Sequence, residues 1–276
     1  MIKTFIVTVI LSSITLVSQA QDWAKARLEK SPRHLEFVKV EHDGRSVESF
    51  IAYPEIKDKA TAVIVIHEIF GLSDWVRSVV DDLAEAGYIA IAPDLLSGLG
   101  PKGGGTSELG GADGARKVIG SLPAEQVTAD LNALVDYVSK LPACNGKVIV
   151  AGFCWGGGQS FRFAANNRSL KAALVFYGQG PDKVDVARIN CPIYGFYGGN
   201  DARIGAGIPQ TVELMKAAGK TYQPVTYEGA GHGFMRAGDG PPPPADADAK
   251  VRDAYAGNKK ARDAAWSRLK SVLAKL

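Results

Sequence analysis

Five residues, Gly152-Phe153-Cys154-Trp155-Gly156, constrain the fold of this chain more than any others. They follow an apolar run, Lys147-Val148-Ile149-Val150-Ala151, that reads as a buried strand. They precede Gly157-Gly158-Gln159-Ser160-Phe161-Arg162-Phe163-Ala164-Ala165, which reads as a helix. A strand, a tight Gly-x-nucleophile-x-Gly turn and a helix make a nucleophile elbow. Glycine flanks the nucleophile because its backbone is strained and neighbouring chain passes close by, so a side chain at 152 or 156 is expected to clash. The turn presents Cys154 at the C-terminal end of a sheet and at a helix N-terminus, where a thiolate and later an oxyanion are favoured. The competing reading is a small buried hydrophobe, and the glycine frame argues against it.

The rest of the chain supplies the sheet that such an elbow needs. Runs at 35–40 and 47–53 flank a turn signal at Asp43-Gly44 and predict a hairpin. Further strands are predicted at 62–66, 88–92, 147–151, 172–177, 192–197 and 222–227, and the first of these is wholly apolar, as in a central parallel strand. Helical periodicity alternates with them over 74–86, 124–141 and 208–218. A last helix, roughly 245–276, spaces Trp266, Leu269, Val272, Leu273 and Leu276 along one face. A hairpin followed by alternating strands and helices implies a mostly parallel sheet with helices on both faces. Eight strand candidates, with the nucleophile after the fifth, match the α/β-hydrolase arrangement, in one domain over 21–276. The glycine-rich stretch 98–114 follows a strand end and reads either as a mobile flap or as an ordinary loop. Pro241–Pro244 reads as a stiff linker into the last helix.

The N-terminus reads as a signal for export. Lys3 is a short positive region, 5–17 is apolar, and Ser18-Gln19-Ala20 is a small-x-small cleavage site, so residues 1–20 are expected to be a signal peptide and the mature protein periplasmic or secreted. An uncleaved anchor is the competing reading, but the apolar run is short for a membrane span, and stable membrane insertion after cleavage is not expected. With 46% hydrophobic and 22% charged residues the chain can build a sizeable core. A net charge of +3 with no basic stripe argues against a nucleic-acid partner. Of three cysteines, Cys144 and Cys191 remain once Cys154 is set aside. Both precede predicted strands, but the strand at 172–177 runs between them, and two strand spacings of about 4.8 Å exceed disulfide reach. They read as two buried thiols or, should their loops converge, as a disulfide.

A cysteine nucleophile needs a base and a group that orients the base. In the α/β-hydrolase order the acid follows the nucleophile and the histidine follows the acid. Asp201, in Gly198-Gly199-Asn200-Asp201, stands at the C-terminal end of the 192–197 strand. His232, in Gly229-Ala230-Gly231-His232-Gly233-Phe234, follows the last strand. Both therefore reach the edge of the sheet that carries Cys154. Asp182 and Asp185 compete for the acid's role from a connector, and Asp201 could be a turn residue. His34 and His42 read as surface residues, and His67, which ends a strand beside Glu68, as lining the pocket. These residues lack the close spacing of metal ligands, and the glycines after Cys154 lack the Lys-Ser/Thr of a phosphate loop. Neither metal nor cofactor is expected.

Together these segments resemble the dienelactone hydrolase family. Gly152-Phe153-Cys154-Trp155-Gly156-Gly157 resembles its Gly-x-Cys-x-Gly-Gly elbow, and His67-Glu68-Ile69-Phe70-Gly71-Leu72 its Glu-Ile-Phe-Gly element. Asp201 and Gly231-His232-Gly233-Phe234 match the family's acid and histidine motifs, and the resemblance runs from about Leu35 to the final helix. It implies a Cys154–His232–Asp201 triad acting through a thioester on small esters or lactones. It implies that Glu68 bonds the resting thiol and moves on substrate binding, where the competing role is a salt bridge to an arginine. It implies an oxyanion hole from the backbone N–H groups of Ile69 and Trp155, and a carboxylate-binding arginine at Arg236. The family's second arginine has no clear counterpart in 98–114, and Arg116 is the available substitute. Acyl transfer or peptide hydrolysis on the same fold, or binding without catalysis, are the alternative functions.

Overall fold

The protein is described by a computed structural model over residues 23–238 and 240–276. The expected signal peptide lies outside these residues. A first helix, α1, covers 23–29. The strands are β1 (Leu35–His42), β2 (Arg45–Ala52), β3 (Ala60–Ile66), β4 (Ile89–Pro93), β5 (Cys144–Phe153), β6 (Ala172–Phe176), β7 (Ile193–Gly198) and β8 (Tyr222–Tyr227). The helices are α2 (Asp74–Glu85), α3 (Ala112–Ile119), α4 (Ala124–Lys140), α5 (Trp155–Asn166), α6 (Lys183–Val186), α7 (Ala202–Gly205), α8 (Ile208–Ala217) and α9 (Ala249–Leu273).

One sheet runs in the order β1-β2-β4-β3-β5-β6-β7-β8. β1 and β2 form an antiparallel hairpin, β2 is antiparallel to β4, and every pairing from β4 to β8 is parallel. The hairpin turns at Asp43 (φ 47°) and Gly44 (φ 75°). Both lie in the left-handed region, as the tight turn matching strand twist requires. In β3 the side chains alternate between two cores: Ile64 and Ile66 face one, Val63 and Val65 the other. Helices α4, α5 and α8 close the first core with Leu131, Leu134, Phe161 and Met215. Helices α2 and α9 close the second with Trp75, Val79, Leu83, Leu269 and Leu273. Fully apolar strands thus need helices on both faces, which the connections supply.

Several local expectations are refined. The last helix begins at Ala249, because the Asp248 side chain accepts the Lys250 N–H and caps it there. The glycine-rich segment ends in α3, and it is tied down rather than loose. Buried Asp94 accepts the Thr106 N–H at 2.6 Å and its hydroxyl at 2.8 Å, while the Thr106 oxygen accepts the Leu72 N–H at 3.0 Å. Glu108 accepts from the N–H groups of Lys102 and Gly104. These bonds favour the ordered-loop reading over the flap. His42 is not a free surface residue: its Nε2 lies 2.8 Å from the buried Asp130, which also binds Arg45 and so fastens the hairpin to α4. Cys144 and Cys191 are free and buried, with β6 between the strands they introduce.

Candidate active site

The elbow has the strain its sequence implies. Cys154 sits at φ 56°, ψ −116°, between β5 and α5. Its N–H donates to the Phe176 carbonyl at 3.0 Å, and its own carbonyl accepts from Gly157 N–H at 3.0 Å. A β-carbon on Gly152 would lie 2.0 Å from the Gly156 carbonyl oxygen, and one on Gly156 would lie 2.4 Å from that of Ile66. Both are backbone atoms that cannot yield, so both glycines are steric requirements.

Three side chains meet at this edge of the sheet. His232 Nε2 is 3.0 Å from Cys154 Sγ, and His232 Nδ1 is 2.5 Å from Asp201 Oδ2. Asp201 is also the cap of α7: its Oδ1 accepts the Ile204 N–H at 3.4 Å, so the turn-residue role and the imidazole contact coexist. The loop carrying His232 is held by Gly231 N–H, which donates 2.8 Å to Asn258 Oδ1 on α9. Tyr177 packs edge-on against the imidazole with centroids 5.0 Å apart. With Nδ1–H given to Asp201, Nε2 is free to take the thiol proton.

The thiol itself rests protonated. Its pKa is pushed up to about 11, first by burial and then by the negative charge of Glu68, against the Trp155 backbone N–H, Arg236 and Arg203. Glu68 is 2% exposed. Glu68 is expected on the thiol, but its Oε2 lies 3.6 Å from Arg236 Nε, and Oε1 has no hydrogen-bond partner among the described residues. A buried carboxylate gains more from a guanidinium than from a neutral thiol, and it acts on Cys154 through its charge. Arg236 also lies over the Phe70 ring at 5.3 Å. Its pKa is raised, chiefly by Glu68.

Ile69 and Trp155 pack together against a small cluster of Leu96, Ala115 and Ile119, so α3 backs the two expected oxyanion donors. His67 does not line a pocket. It is 0% exposed. Arg116 is an exposed residue of α3 paired with Asp113, and Asp185 pairs with Arg188, so none of these joins Cys154. The residue that sequence reasoning misses is Tyr177. It is fully buried at φ 39°, and its hydroxyl has no partner among the described residues. Burial, then the Glu68 charge, raises its pKa well above the ordinary value. Its position one residue past β6, beside the elbow strand, is the available signal. Among the described residues no cluster of His, Cys, Asp and Glu is arranged to hold a metal, and no helix is long and apolar enough to cross a membrane.

A parallel sheet of this order, carrying a strained strand-to-helix cysteine and a later aspartate and histidine at the same edge, defines an α/β-hydrolase. The dienelactone hydrolase family matches residues 47–276. A carboxymethylenebutenolidase of Pseudomonas putida is 30% identical over 201 residues, covering 71% of this chain and 83% of its own. An Escherichia coli K12 protein provisionally given the same name is 32% identical over 210 residues, 72% of this chain and 76% of its own. The crystal structure of a Klebsiella pneumoniae protein, provisionally named a dienelactone hydrolase, superposes with a TM-score of 0.72 at 26% identity, covering 88% of this chain and 99% of the other. The chain belongs to the dienelactone hydrolase family, and with it to the hydrolases of carboxylic esters and lactones.

Proposed function

We propose that the protein hydrolyses small lactones or esters with Cys154 as nucleophile, His232 as base and acid, and Asp201 as the group that orients the imidazole. The observation that carries this reading is His232 held 3.0 Å from the sulfur and 2.5 Å from the carboxylate. His232 takes the thiol proton as sulfur attacks the carbonyl carbon. The tetrahedral oxygen is held by the Ile69 and Trp155 N–H groups. His232 then protonates the leaving oxygen, and a thioester forms. Water, activated by the same imidazole, cleaves the thioester and regenerates the thiol.

The resting state is a guarded one. A buried thiol beside a carboxylate stays protonated and resists idle oxidation, which suits export to the periplasm or the medium, our reading of residues 1–20. Arg236 suits substrates bearing a carboxylate, since such a group would compete with Glu68 for the guanidinium. No organic cofactor or metal has a role in this scheme. The test is hydrolysis of an activated aryl ester with mass spectrometry of the quenched enzyme. We expect an acyl adduct on Cys154 and, in Cys154→Ala, less than about a hundredth of the wild-type rate. An undiminished rate in that variant would refute the covalent route.

A further inference from the structure

His67 is a buried imidazole that the proposed chemistry does not use, and it has both nitrogens engaged. Nδ1 is 2.7 Å from the Glu68 carbonyl oxygen, and Nε2 is 3.3 Å from the Leu95 N–H. A carbonyl can only accept and a main-chain N–H can only donate, so one tautomer satisfies both: Nδ1 carries the proton and Nε2 accepts. The ring is neutral, because burial lowers its pKa. Its face is stacked on the Trp155 ring, centroids 5.7 Å apart and planes 17° apart.

The bond to Glu68 has a consequence one peptide away. The Glu68 carbonyl and the Ile69 N–H belong to the same planar trans peptide, in which C=O and N–H point in opposite directions. Fixing one end of that unit aims the other. The Glu68 oxygen accepts from two donors, His67 Nδ1 at 2.7 Å and the Gly71 N–H at 3.3 Å, and the imidazole bond is the shorter. Among the described residues the Ile69 N–H has no acceptor. A carbonyl that accepts a hydrogen bond also makes its own N–H a stronger donor.

We infer that His67 is the positioning residue of the oxyanion hole: its Nδ1–H holds the Glu68–Ile69 peptide so that the Ile69 N–H faces the reacting carbonyl, while its ring braces Trp155, the other donor. This rests on the hydrolase reading above and adds to it a residue that touches no substrate. It also explains a buried histidine in place of an apolar residue. An apolar side chain could fill the space but could not grip the carbonyl.

The test compares two reactions of the same sulfur. Acylation by an activated aryl acetate passes through an oxyanion. Alkylation by iodoacetamide does not, and reports only thiol reactivity and an intact site. Both rates are measured on wild type, His67→Phe, His67→Gln and His67→Asn. Phenylalanine keeps the stack and loses the donor. Glutamine puts its amide near the Nε2 position, whereas asparagine puts an N–H near Nδ1. The ratio of acylation to alkylation should fall about 10- to 100-fold in the Phe and Gln variants, less than or equal to the loss on deleting a donor outright. Asparagine should bring it back to within about threefold of wild type, since it restores the bond. A ratio unchanged in Phe and Gln, or equally low in Asn, overturns the inference. Should the Phe variant not fold, the Gln and Asn pair decides on the same ratio. Failure of the underlying reading is distinct: wild type would then show no acylation beyond that of Cys154→Ala.

Discussion

Arg236 and Glu68 form the charge pair on which the resting site depends, and cutting it should be measurable both in stability and at the sulfur. At 3.6 Å, two unit charges attract by roughly 4–5 kcal/mol at an effective dielectric near 20. The arginine is 28% exposed, and screening by water reduces the expected coupling to about 2–3 kcal/mol. The two single substitutions are not equivalent. Arg236→Ala strands a carboxylate that is 2% exposed and whose Oε1 already lacks a partner, so it should cost about 3 kcal/mol or more. Glu68→Gln leaves a guanidinium that still has Phe70 and water, and should cost about 1 kcal/mol. Urea melts of wild type, both singles and the double variant close the cycle. The sulfur gives an independent sign. Glu68 raises the Cys154 pKa and Arg236 lowers it, so Glu68→Gln should speed iodoacetamide alkylation at pH 8 and Arg236→Ala should slow it. With a matched acidic and neutral ester, Arg236→Ala should raise KM for the acid alone. A coupling below about 0.5 kcal/mol, in the range of an exposed pair, together with alkylation rates moving in the same direction, would refute the account.

Two further outcomes follow from burial and sterics. Gly156→Ala drives a β-carbon to 2.4 Å from the Ile66 carbonyl oxygen and 2.5 Å from that of His67. It should cost more than about 3 kcal/mol, and a melting temperature within a few degrees of wild type would count against the elbow's packing. Cys191 is buried and its thiol is pushed up from 9.0 to about 11, so between those values the folded state holds a proton that the unfolded state has lost. Stability should therefore fall as pH rises through this window, by about 2–3 kcal/mol from this thiol. Cys154 and the raised tyrosines add the same sign. Urea melts at pH 8.5 and 10.5 should show a shallower decline in Cys191→Ala, and equal slopes would dismiss the assignment.

What could be read in the sequence was whatever a single segment encodes. Strand, glycine turn and helix around Cys154 are contiguous, and apolar runs such as Val63-Ile64-Val65-Ile66 announce strands without reference to anything distant. That Asp201 and His232 lie at the edge that carries Cys154 was legible because each stands just past a strand, and parallel topology sends such positions to one edge. What stayed hidden depends on pairings between segments. Nothing near Glu68 in the chain announces Arg236 as its partner. His67 gave no sign of its engagement, because both its bonds are to main-chain atoms, which look alike in any sequence. Helix α3 was masked by the glycines on both sides of it, and what holds it is burial of Ala115 and Ile119 against Leu96 rather than local propensity. His42 looked like a surface residue because Asp130, its buried partner, belongs to α4.

Sheet register explains why so much chemistry collects in so few residues. Ile66 pairs with Gly152 and Phe153 with Phe176. One step past the paired residues, β3 and β5 therefore set His67 level with Phe153, and two steps set Glu68 level with Cys154. On the other side β6 sets Tyr177 level with Cys154. The level below the chemistry is an aromatic floor: Phe153 stacks on Phe176 at 4.5 Å, and Phe176 on Phe196 at 4.2 Å. The level above it is Glu68, Cys154 and Tyr177, where burial first, and the acid's charge second, raises both the thiol and the phenol. Adjacent residues of a strand point to opposite faces, so a slip of one residue at β3–β5 would turn the side chains of β3 to the wrong core. In this register the Ile66 and His67 carbonyl oxygens lie where a β-carbon on residue 156 would be, so the end of β3 rests directly on the elbow. The glycine two residues after Cys154 thus also lets the end of β3, and Glu68 beyond it, come close to the sulfur.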